Sequence, residues 1–128
     1  LLNSPESVAV KIDVNRFRQV MHNLLKNAIE ACEDAQLPVD IVISYHPLTH
    51  QQRRWLEISV RDYGPGIPVS IIDKLFEPYA TTKHKGTGLG LAIVKKMIEE
   101  HGGDVWAENL DPEGTSIIIR LPLEESPS

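Results

Sequence analysis

Three glycines stand at every second position, Gly86, Gly88 and Gly90, just before an amphipathic run in the segment KHKGTGLGLAIVKK. Glycine lets a backbone turn tightly and pass close to a ligand, and a helix start presents unpaired N–H groups with a partial positive charge. Such a place favours an anion, most often a phosphate. A flexible hinge or an ordinary loop before a helix would use the same residues, so the glycines alone leave both interpretations open.

A carboxylate stands at the end of a predicted strand. The alternation in WLEISVRD directs Leu56, Ile58 and Val60 into the core and places Asp62 on the same face. A buried charge needs a partner, and the glycine-bracketed turn YGPGIP leaves room beside it. A ligand that donates an N–H, such as the exocyclic amine of adenine, would satisfy Asp62. An aspartate that caps an ordinary turn is the alternative.

Two asparagines, Asn23 and Asn27, lie four residues apart on one side of the first predicted helix. Asparagine in a helix interior is less favourable than alanine by roughly 0.5–0.7 kcal/mol, so two in one row invite a reason. Amide oxygens bind hard cations such as Mg²⁺, which takes few protein ligands together with water and nucleotide phosphates. A solvated polar edge of the helix is the alternative interpretation.

Two amphipathic helices are predicted to support these residues. Asp13 offers an N-terminal cap to a helix that runs to about Ala35, and a second helix runs from Thr87 to His101 before a Gly-Gly pair ends it. The apolar positions of the first helix recur every three or four residues and form one core stripe: Phe17, Val20, Met21, Leu24, Ala28, Ala31 and Cys32. The residues of the second helix that are predicted to point inward are Ile93, Val94, Met97 and Ile98.

The predicted strands cover residues 7–12, 39–45, 55–62, 104–109 and 115–122. The polar segment HPLTHQQRR is predicted to be a hairpin loop, and a short apolar helix follows DYGPGIP. Residues 76–87 lack a clear period and are expected to form a lid, while residues 124–128 are expected to fray. This order favours an α+β sandwich of one mixed, mostly antiparallel sheet and one helical layer over a doubly wound parallel sheet.

Size and composition narrow the class of protein. With 128 residues the chain is expected to form one domain, and its net charge of -5 argues against a general nucleic-acid binder. Its one cysteine, Cys32, excludes a disulfide framework and fits a reducing, cytosolic setting. The sequence shows neither a bilayer-spanning apolar run of roughly 18 residues nor a signal-peptide pattern. Because it begins with Leu1, we expect it to be a piece of a longer protein.

Four motifs follow one another along the chain: NLLKNAIEA, DYGPGIP, LFEPYATTK and GTGLGLAI. They resemble the N, G1, F and G2 boxes of the ATP-binding catalytic domain of bacterial sensor histidine kinases. That domain belongs to the superfamily shared with gyrase, a heat-shock chaperone and the mismatch-repair ATPases. The resemblance covers almost the whole chain, since GTSIIIRLP is similar to the final strand motif. The wording NAIEA, FEPYATTK and AIVKKMIEEHGG is most similar to the nitrogen-regulation type of sensor kinase.

The resemblance implies a role for each matching residue. Asn27 would bind Mg²⁺ beside the triphosphate of ATP, with Asn23 and Glu30 near it, and Asp62 would accept a hydrogen bond from the adenine amine. Lys83 would be a mobile cation able to reach the phosphates. The glycines would hinge the ATP lid and let a helix start meet phosphate. The other nucleotide-binding residues would be Gly64, Gly66, Ile67, Thr87, Gly88, Leu89, Gly90 and Thr115.

The resemblance also favours phosphoryl transfer over hydrolysis. Superfamily members that hydrolyse ATP carry a glutamate one helical turn before the magnesium asparagine, where this chain has Asn23, and an amide cannot take a proton from water. The histidines at positions 22, 46, 50, 84 and 101 lack the H-E-x-x-x-P surroundings of the family's phosphorylated residue. The acceptor histidine is therefore expected on a separate dimerisation domain before Leu1, with a response regulator downstream and the fragment itself monomeric. The parent could be a membrane-bound sensor with this domain in the cytoplasm.

Two alternatives from other classes remain at this point: a serine kinase of the anti-sigma type and a nonenzymatic nucleotide-sensing module. The F box and the wording GTGLGL argue against the first. The retention of Asn27 and Asp62 argues against the second. A dinucleotide-binding fold and a P-loop are disfavoured, because the G-x-G does not follow a predicted strand and G-x-x-x-x-G-K-[ST] is absent.

Overall fold

Two long helices pack on one face of a four-stranded antiparallel sheet in the computed structural model, which describes residues 12–78 and 90–123. The strand order is β1-β2-β4-β3. This arrangement confirms the predicted α+β class with one sheet and one helical layer. The elements in chain order are α1 (Val14–Asp34), β1 (Ile41–His50), β2 (Arg53–Asp62), α2 (Val69–Ile72), α3 (Gly90–Glu100), β3 (Asp104–Asn109) and β4 (Thr115–Pro122).

Some predictions fall outside the described residues. They concern residues 7–11 of the first predicted strand, residues 79–87 of the predicted lid, residues 87–89 of the second long helix and the tail 124–128. Within the described part of the chain, no helix combines the length and the apolar character needed to cross a membrane.

Helix α1 begins where its sequence predicts. The carboxylate of Asp13 accepts hydrogen bonds from the backbone N–H groups of Asn15 and Arg16 at 3.0 and 3.2 Å, so it satisfies donors that have no partner inside the helix. Arg16 then bonds Glu100 at 2.8 Å, and this hydrogen bond lowers the pKa of the Glu100 carboxyl. The start of α1 is thereby joined to the end of α3.

His101 forms a second link between the two helices. Its Nδ1 lies 2.9 Å from the carbonyl oxygen of Met97, and its Nε2 lies 3.4 Å from the backbone nitrogen of Asp13. Since the backbone N–H of Asp13 is a donor, the tautomer that fits both contacts carries its proton on Nδ1 and accepts at Nε2.

The core lies between the helices and the inner face of the sheet. In α1 the buried side chains are Val20, Leu24, Ala28 and Cys32, which confirms the predicted stripe in its centre. From the sheet, the fully or nearly buried residues packed against them are Leu56, Ile58, Val60, Ile117, Ile119 and Leu121. From α3 the buried residues are Val94, Met97 and Ile98.

The prediction that Ile93 points inward is wrong, since 42% of its surface is exposed. Successive helical residues are rotated by about 100°, so the face shared by Val94, Met97 and Ile98 is centred about a quarter turn away from Ile93. Ile93 was predicted to point inward because it is apolar, but its angular position on the helix places it at the border of the packed face.

The predicted hairpin is confirmed, but the predicted length of its loop is wrong, because most of HPLTHQQRR forms the ends of β1 and β2. The two strands pair in unbroken register out to His50 and Arg53, and only Gln51 and Gln52 make the turn. Both turn residues have positive φ, 51° and 64°, as a tight two-residue hairpin requires. Asparagine and glycine usually mark such turns, so the Gln-Gln pair was not a turn signal in the sequence.

Candidate functional site

A cavity of about 270 Å³ lies between α1, the segment that follows β2, and the start of β4. Five of the predicted site residues, from three separate parts of the chain, line this cavity: Asn27, Asp62, Gly66, Ile67 and Thr115. The rest of the lining is largely apolar. It consists of Ala31, Asp34, Ala35, Pro65, Pro68, Ile71 and Leu75.

Asp62 is the most deeply placed charged residue of this cavity, with 5% of its surface exposed. The alternation of β2 buries it on the face of Leu56, Ile58 and Val60, as predicted. Its Oδ1 accepts a hydrogen bond from the backbone N–H of Gly64 at 2.9 Å. Asp62 therefore combines both interpretations of the sequence, because it closes the turn after β2 and also faces the cavity.

Thr115 is placed beside Asp62 by strand pairing. β2 and β4 are antiparallel and their register sets Asp62 opposite Thr115, which is 5% exposed. Just before Thr115, Gly114 has a φ of +105°, and a Cβ there would lie 2.4 Å from the carbonyl oxygen of Asp62. Only glycine allows β4 to approach the end of β2 this closely, so Gly114 holds the base of the cavity together. Gly114 was not among the site residues predicted from the sequence.

Asn109, at the end of β3, is a second residue that the sequence analysis missed. Its Oδ1 accepts from the backbone N–H of Ile67 at 2.8 Å, and its Nδ2 donates to the carbonyl oxygen of Ile67 at 2.7 Å. The hydroxyl of Thr115 also reaches Asn109 Oδ1 at 3.4 Å. Asn109 and Ile67 are 42 positions apart in the chain. No sequence pattern in either segment predicts this contact. The only available signal is an asparagine at the end of a predicted strand, next to a predicted turn.

The asparagine pair of α1 is divided between two places. Asn27 lines the cavity with Asp62, whereas Asn23 lies outside the cavity lining of the described residues and donates from Nδ2 to the carbonyl oxygen of Gly90 at 3.4 Å. Asn23 thus contacts the first described residue of α3. This contact brings the start of α3 to α1, whereas residues 79–87 of the predicted lid lie outside the described residues.

Glu30 faces another side of α1, where it borders an open groove with His22, Lys26 and Glu33. Its Oε2 is buried and has no hydrogen-bond partner among the described residues. The predicted site residues Lys83, Thr87, Gly88 and Leu89 lie outside the described residues. Within residues 12–78 and 90–123, no group of three His, Cys, Asp or Glu side chains is placed to hold a metal ion without help from a ligand.

The arrangement suits a planar base with a polar edge. A buried carboxylate and a hydroxyl lie at the base of the cavity, apolar side chains line its walls, and an amide from α1 borders it. Ligand pockets commonly have this composition, in which apolar surface supplies affinity and a few polar groups fix orientation.

Comparison with known proteins shows which family the chain resembles. The sequence model of the family described as "Histidine kinase-, DNA gyrase B-, and HSP90-like ATPase" matches residues 12–125. The chain is 36% identical over 122 residues to the sensor histidine kinase WalK of Bacillus subtilis (strain 168), and the alignment covers 91% of this chain and 19% of WalK. It is 36% identical over 117 residues to sporulation kinase A of the same organism, with 91% and 18% covered. The chain thus spans about a fifth of the length of these relatives.

Solved structures agree with this placement. The catalytic domain of the histidine kinase ThkA, in a nucleotide-free form, superposes with a TM-score of 0.73 at 40% identity and covers 88% of this chain and 70% of that one. Full-length ShkA, solved in complex with AMPPNP, gives a TM-score of 0.78 at 25% identity and covers 99% of this chain and 25% of that one.

Proposed function

Since the chain belongs to the family of histidine kinase-, DNA gyrase B- and HSP90-like ATPases, we propose that it binds Mg-ATP and transfers the γ-phosphoryl group to a histidine of a separate dimerisation domain. In sensor histidine kinases such as WalK and sporulation kinase A, the domain of this family is the ATP-binding catalytic domain. The observation that carries the proposal is the meeting of Asn27, Asp62 and Thr115, from three separate elements, at one cavity.

The adenine is proposed to enter beside Asp62. The buried carboxylate accepts a hydrogen bond from the exocyclic amine, and Thr115 completes the polar edge next to it. Ala31, Ile71 and Leu75 offer apolar surface to the faces of the ring. ShkA, which shares the fold, was solved with the ATP analogue AMPPNP, and this supports a nucleotide as the ligand.

Mg²⁺ is proposed to bind at Asn27, where the amide oxygen is a hard ligand on the border of the cavity. The chemistry of Asn27 fits this ion, because its amide oxygen borders the cavity and one protein ligand leaves the other coordination positions to water and to phosphate oxygens, as Mg²⁺ prefers. Glu30 is proposed to lie near the ion without binding it, since its side chain borders the neighbouring groove, where its buried Oε2 has no hydrogen-bond partner among the described residues. When bound, the ion neutralises charge on the transferred phosphoryl group.

The phosphates are proposed to meet the segment before α3. Gly86, Gly88 and Gly90 would let the backbone N–H groups approach the phosphates, with Thr87 and Leu89 beside them and Lys83 as an added cation. Residues 76–87 would form the lid of a single domain that spans residues 1–128. At its border, the contact between Asn23 and the Gly90 carbonyl supports a junction between lid and α1.

Transfer, rather than hydrolysis, is proposed because Asn23 stands where a hydrolytic member would have a glutamate. Its amide cannot accept a proton from water, and in the structure it donates to a carbonyl instead. Two of the described histidines have other contacts, since His101 contacts Met97 and Asp13 and His46 lies 3.3 Å from Glu57. The phosphate acceptor is proposed to lie on a dimerisation domain of the parent protein, because none of the histidines in the sequence has the H-E-x-x-x-P surroundings of the family's acceptor, and a response regulator is proposed as the next acceptor.

Two finer assignments complete the proposal. The nitrogen-regulation subtype rests on the motifs NAIEA and FEPYATTK, whereas the reported relatives are WalK and sporulation kinase A. A cytoplasmic location, with or without a membrane-bound parent, follows from the need for cellular ATP.

Incubation of the chain with γ-labelled ATP and Mg²⁺, alone and with the histidine-bearing dimerisation domain of its parent, tests the proposal. We expect very slow phosphate release and no self-labelling by the chain alone. With the added domain we expect an acid-labile, base-stable phosphohistidine whose formation requires Asn27. Rapid phosphate release without the added domain would instead indicate an ATPase. Acid-stable label on a partner's serine would indicate a kinase of the anti-sigma type, and binding without transfer would indicate a sensing module.

A further inference from the structure

We propose that Asn109 is a positioning residue of the nucleotide site, which fixes the turn between Gly64 and Pro68 in the shape that accepts adenine. The inference rests on the proposed function, because it assigns a role in the recognition of the base. Asn109 belongs to β3, which contributes no residue to the cavity lining among the described residues, so its influence passes through Ile67.

Two hydrogen bonds join the side chain of Asn109 to the backbone of Ile67. The side-chain amide offers one acceptor and one donor in a plane, and these meet the N–H and the C=O of Ile67 at 2.8 and 2.7 Å. Ile67 lies in neither a helix nor a strand, so its backbone groups depend on such a side chain for their pairing. Asn109 thus bonds both backbone polar groups of Ile67, as a neighbouring strand would do in a sheet.

The environment of the contact requires this side chain. Gly66, next to Ile67, has a φ of +86°, and a Cβ on it would lie 3.1 Å from Asn109 Oδ1. The turn is therefore held close against the amide, with no room for a branched side chain between them. Aspartate would keep an acceptor for the Ile67 N–H but would place a second acceptor against the Ile67 carbonyl oxygen, which repels it.

Asn109 is also linked to the polar base of the cavity. Strand register sets Asn109 opposite Thr115 and Thr115 opposite Asp62, and the Thr115 hydroxyl reaches Asn109 Oδ1 at 3.4 Å. The same amide therefore touches Ile67, which lines the cavity wall, and Thr115, which lines the cavity base. This geometry lets Asn109 set the distance between the wall and the carboxylate that is proposed to receive the adenine amine.

Affinities for ADP and GDP test the proposal, because a loss of general stability would weaken both nucleotides alike. The affinities are measured with Mg²⁺ in a displacement assay for the wild type, Asn109→Ala and Asn109→Asp. Glu108→Ala is the matched control, since Glu108 is exposed on the same strand and its side chain bonds Trp106 rather than the turn. We expect Asn109→Ala to weaken the affinity for ADP by about tenfold, because two exposed hydrogen bonds are lost, and to weaken the affinity for GDP much less. Asn109→Asp should weaken the affinity for ADP at least as much, and Glu108→Ala should change neither affinity.

Equal weakening of ADP and GDP, or unchanged ADP affinity in folded Asn109→Ala, would overturn the positioning role. Wild-type protein that binds no ADP would instead refute the proposed function, so the two failures are distinguishable. Asn109→Ser, whose hydroxyl is too short to span both backbone groups, replaces the alanine variant if that variant does not fold. Failure of both to fold would also overturn the proposal, because Asn109 would then be required for folding rather than for base recognition.

Discussion

Replacement of Asp62 by asparagine separates the role of its charge from its role in the fold. The side chain is 5% exposed, and its Oδ1 accepts from the Gly64 N–H at 2.9 Å. Asparagine has the same shape and keeps an oxygen for that hydrogen bond, so we expect the variant to fold with a change in stability of about 1 kcal/mol or less. The new NH₂ group would replace the second carboxylate oxygen of a residue that lines the cavity.

An NH₂ group in that position faces the amine of adenine, and two donors cannot bond each other. The variant loses a hydrogen bond to a charged acceptor, which contributes about 1.5–3 kcal/mol in a buried site. This corresponds to roughly a 10- to 150-fold weaker affinity for ADP. The buried carboxylate and the partly apolar lining of the cavity favour the upper part of this range.

Calorimetric titration with ADP and Mg²⁺ measures the effect, together with thermal unfolding of each variant. Asp104→Asn is the matched control, because Asp104 is an exposed aspartate at the start of β3, away from the cavity lining of the described residues. An ADP affinity within about twofold of wild type in a folded Asp62→Asn variant would refute the adenine role of Asp62, since even one weak hydrogen bond is worth more than this.

Three further substitutions, one of them with a matched control, test the site and the fold around it. Gly114→Ala should destabilise the fold by roughly 2–4 kcal/mol in denaturant titrations, because the residue is strained at positive φ and its Cβ would lie 2.4 Å from the Asp62 carbonyl oxygen. Gly102→Ala, also at positive φ but with its nearest contact at 3.6 Å, should cost only about 1 kcal/mol, and equal losses would contradict this reasoning. Asn27→Ala should leave stability within about 1 kcal/mol while abolishing the Mg²⁺ dependence of ATP affinity, and a retained dependence would exclude Asn27 as the ligand. His101→Ala should lower the unfolding free energy by about 1–2 kcal/mol without affecting nucleotide affinity, because one hydrogen bond to Met97 of α3 and one to Asp13 at the start of α1 are lost; an unchanged midpoint would show that they are not stabilising.

Features that depend on near neighbours in the chain were predictable. The Asp13 cap, the apolar stripe of α1 and the inward position of Asp62 all follow from contacts or periodicities within a few residues. The length of the hairpin loop and the orientation of Ile93 were mispredicted for opposite reasons. HPLTHQQRR is largely polar, yet most of it belongs to two strand ends that are stabilised by pairing with each other. Ile93 is apolar, yet it lies at the edge of the packed face of its helix.

The motif boxes, the α+β order and the chemical types of the predicted site residues could be read from the sequence: a carboxylate, amides, a hydroxyl and a glycine-rich segment before a helix. Which of these groups meet depends on the tertiary structure. Asn27, Asp62 and Thr115 share a cavity, whereas Asn23 contacts Gly90 and Glu30 borders another groove. The physical reason is that strand register and helix packing bring together residues dozens of positions apart, as with Asn109 and Ile67, and no local pattern encodes such a distance.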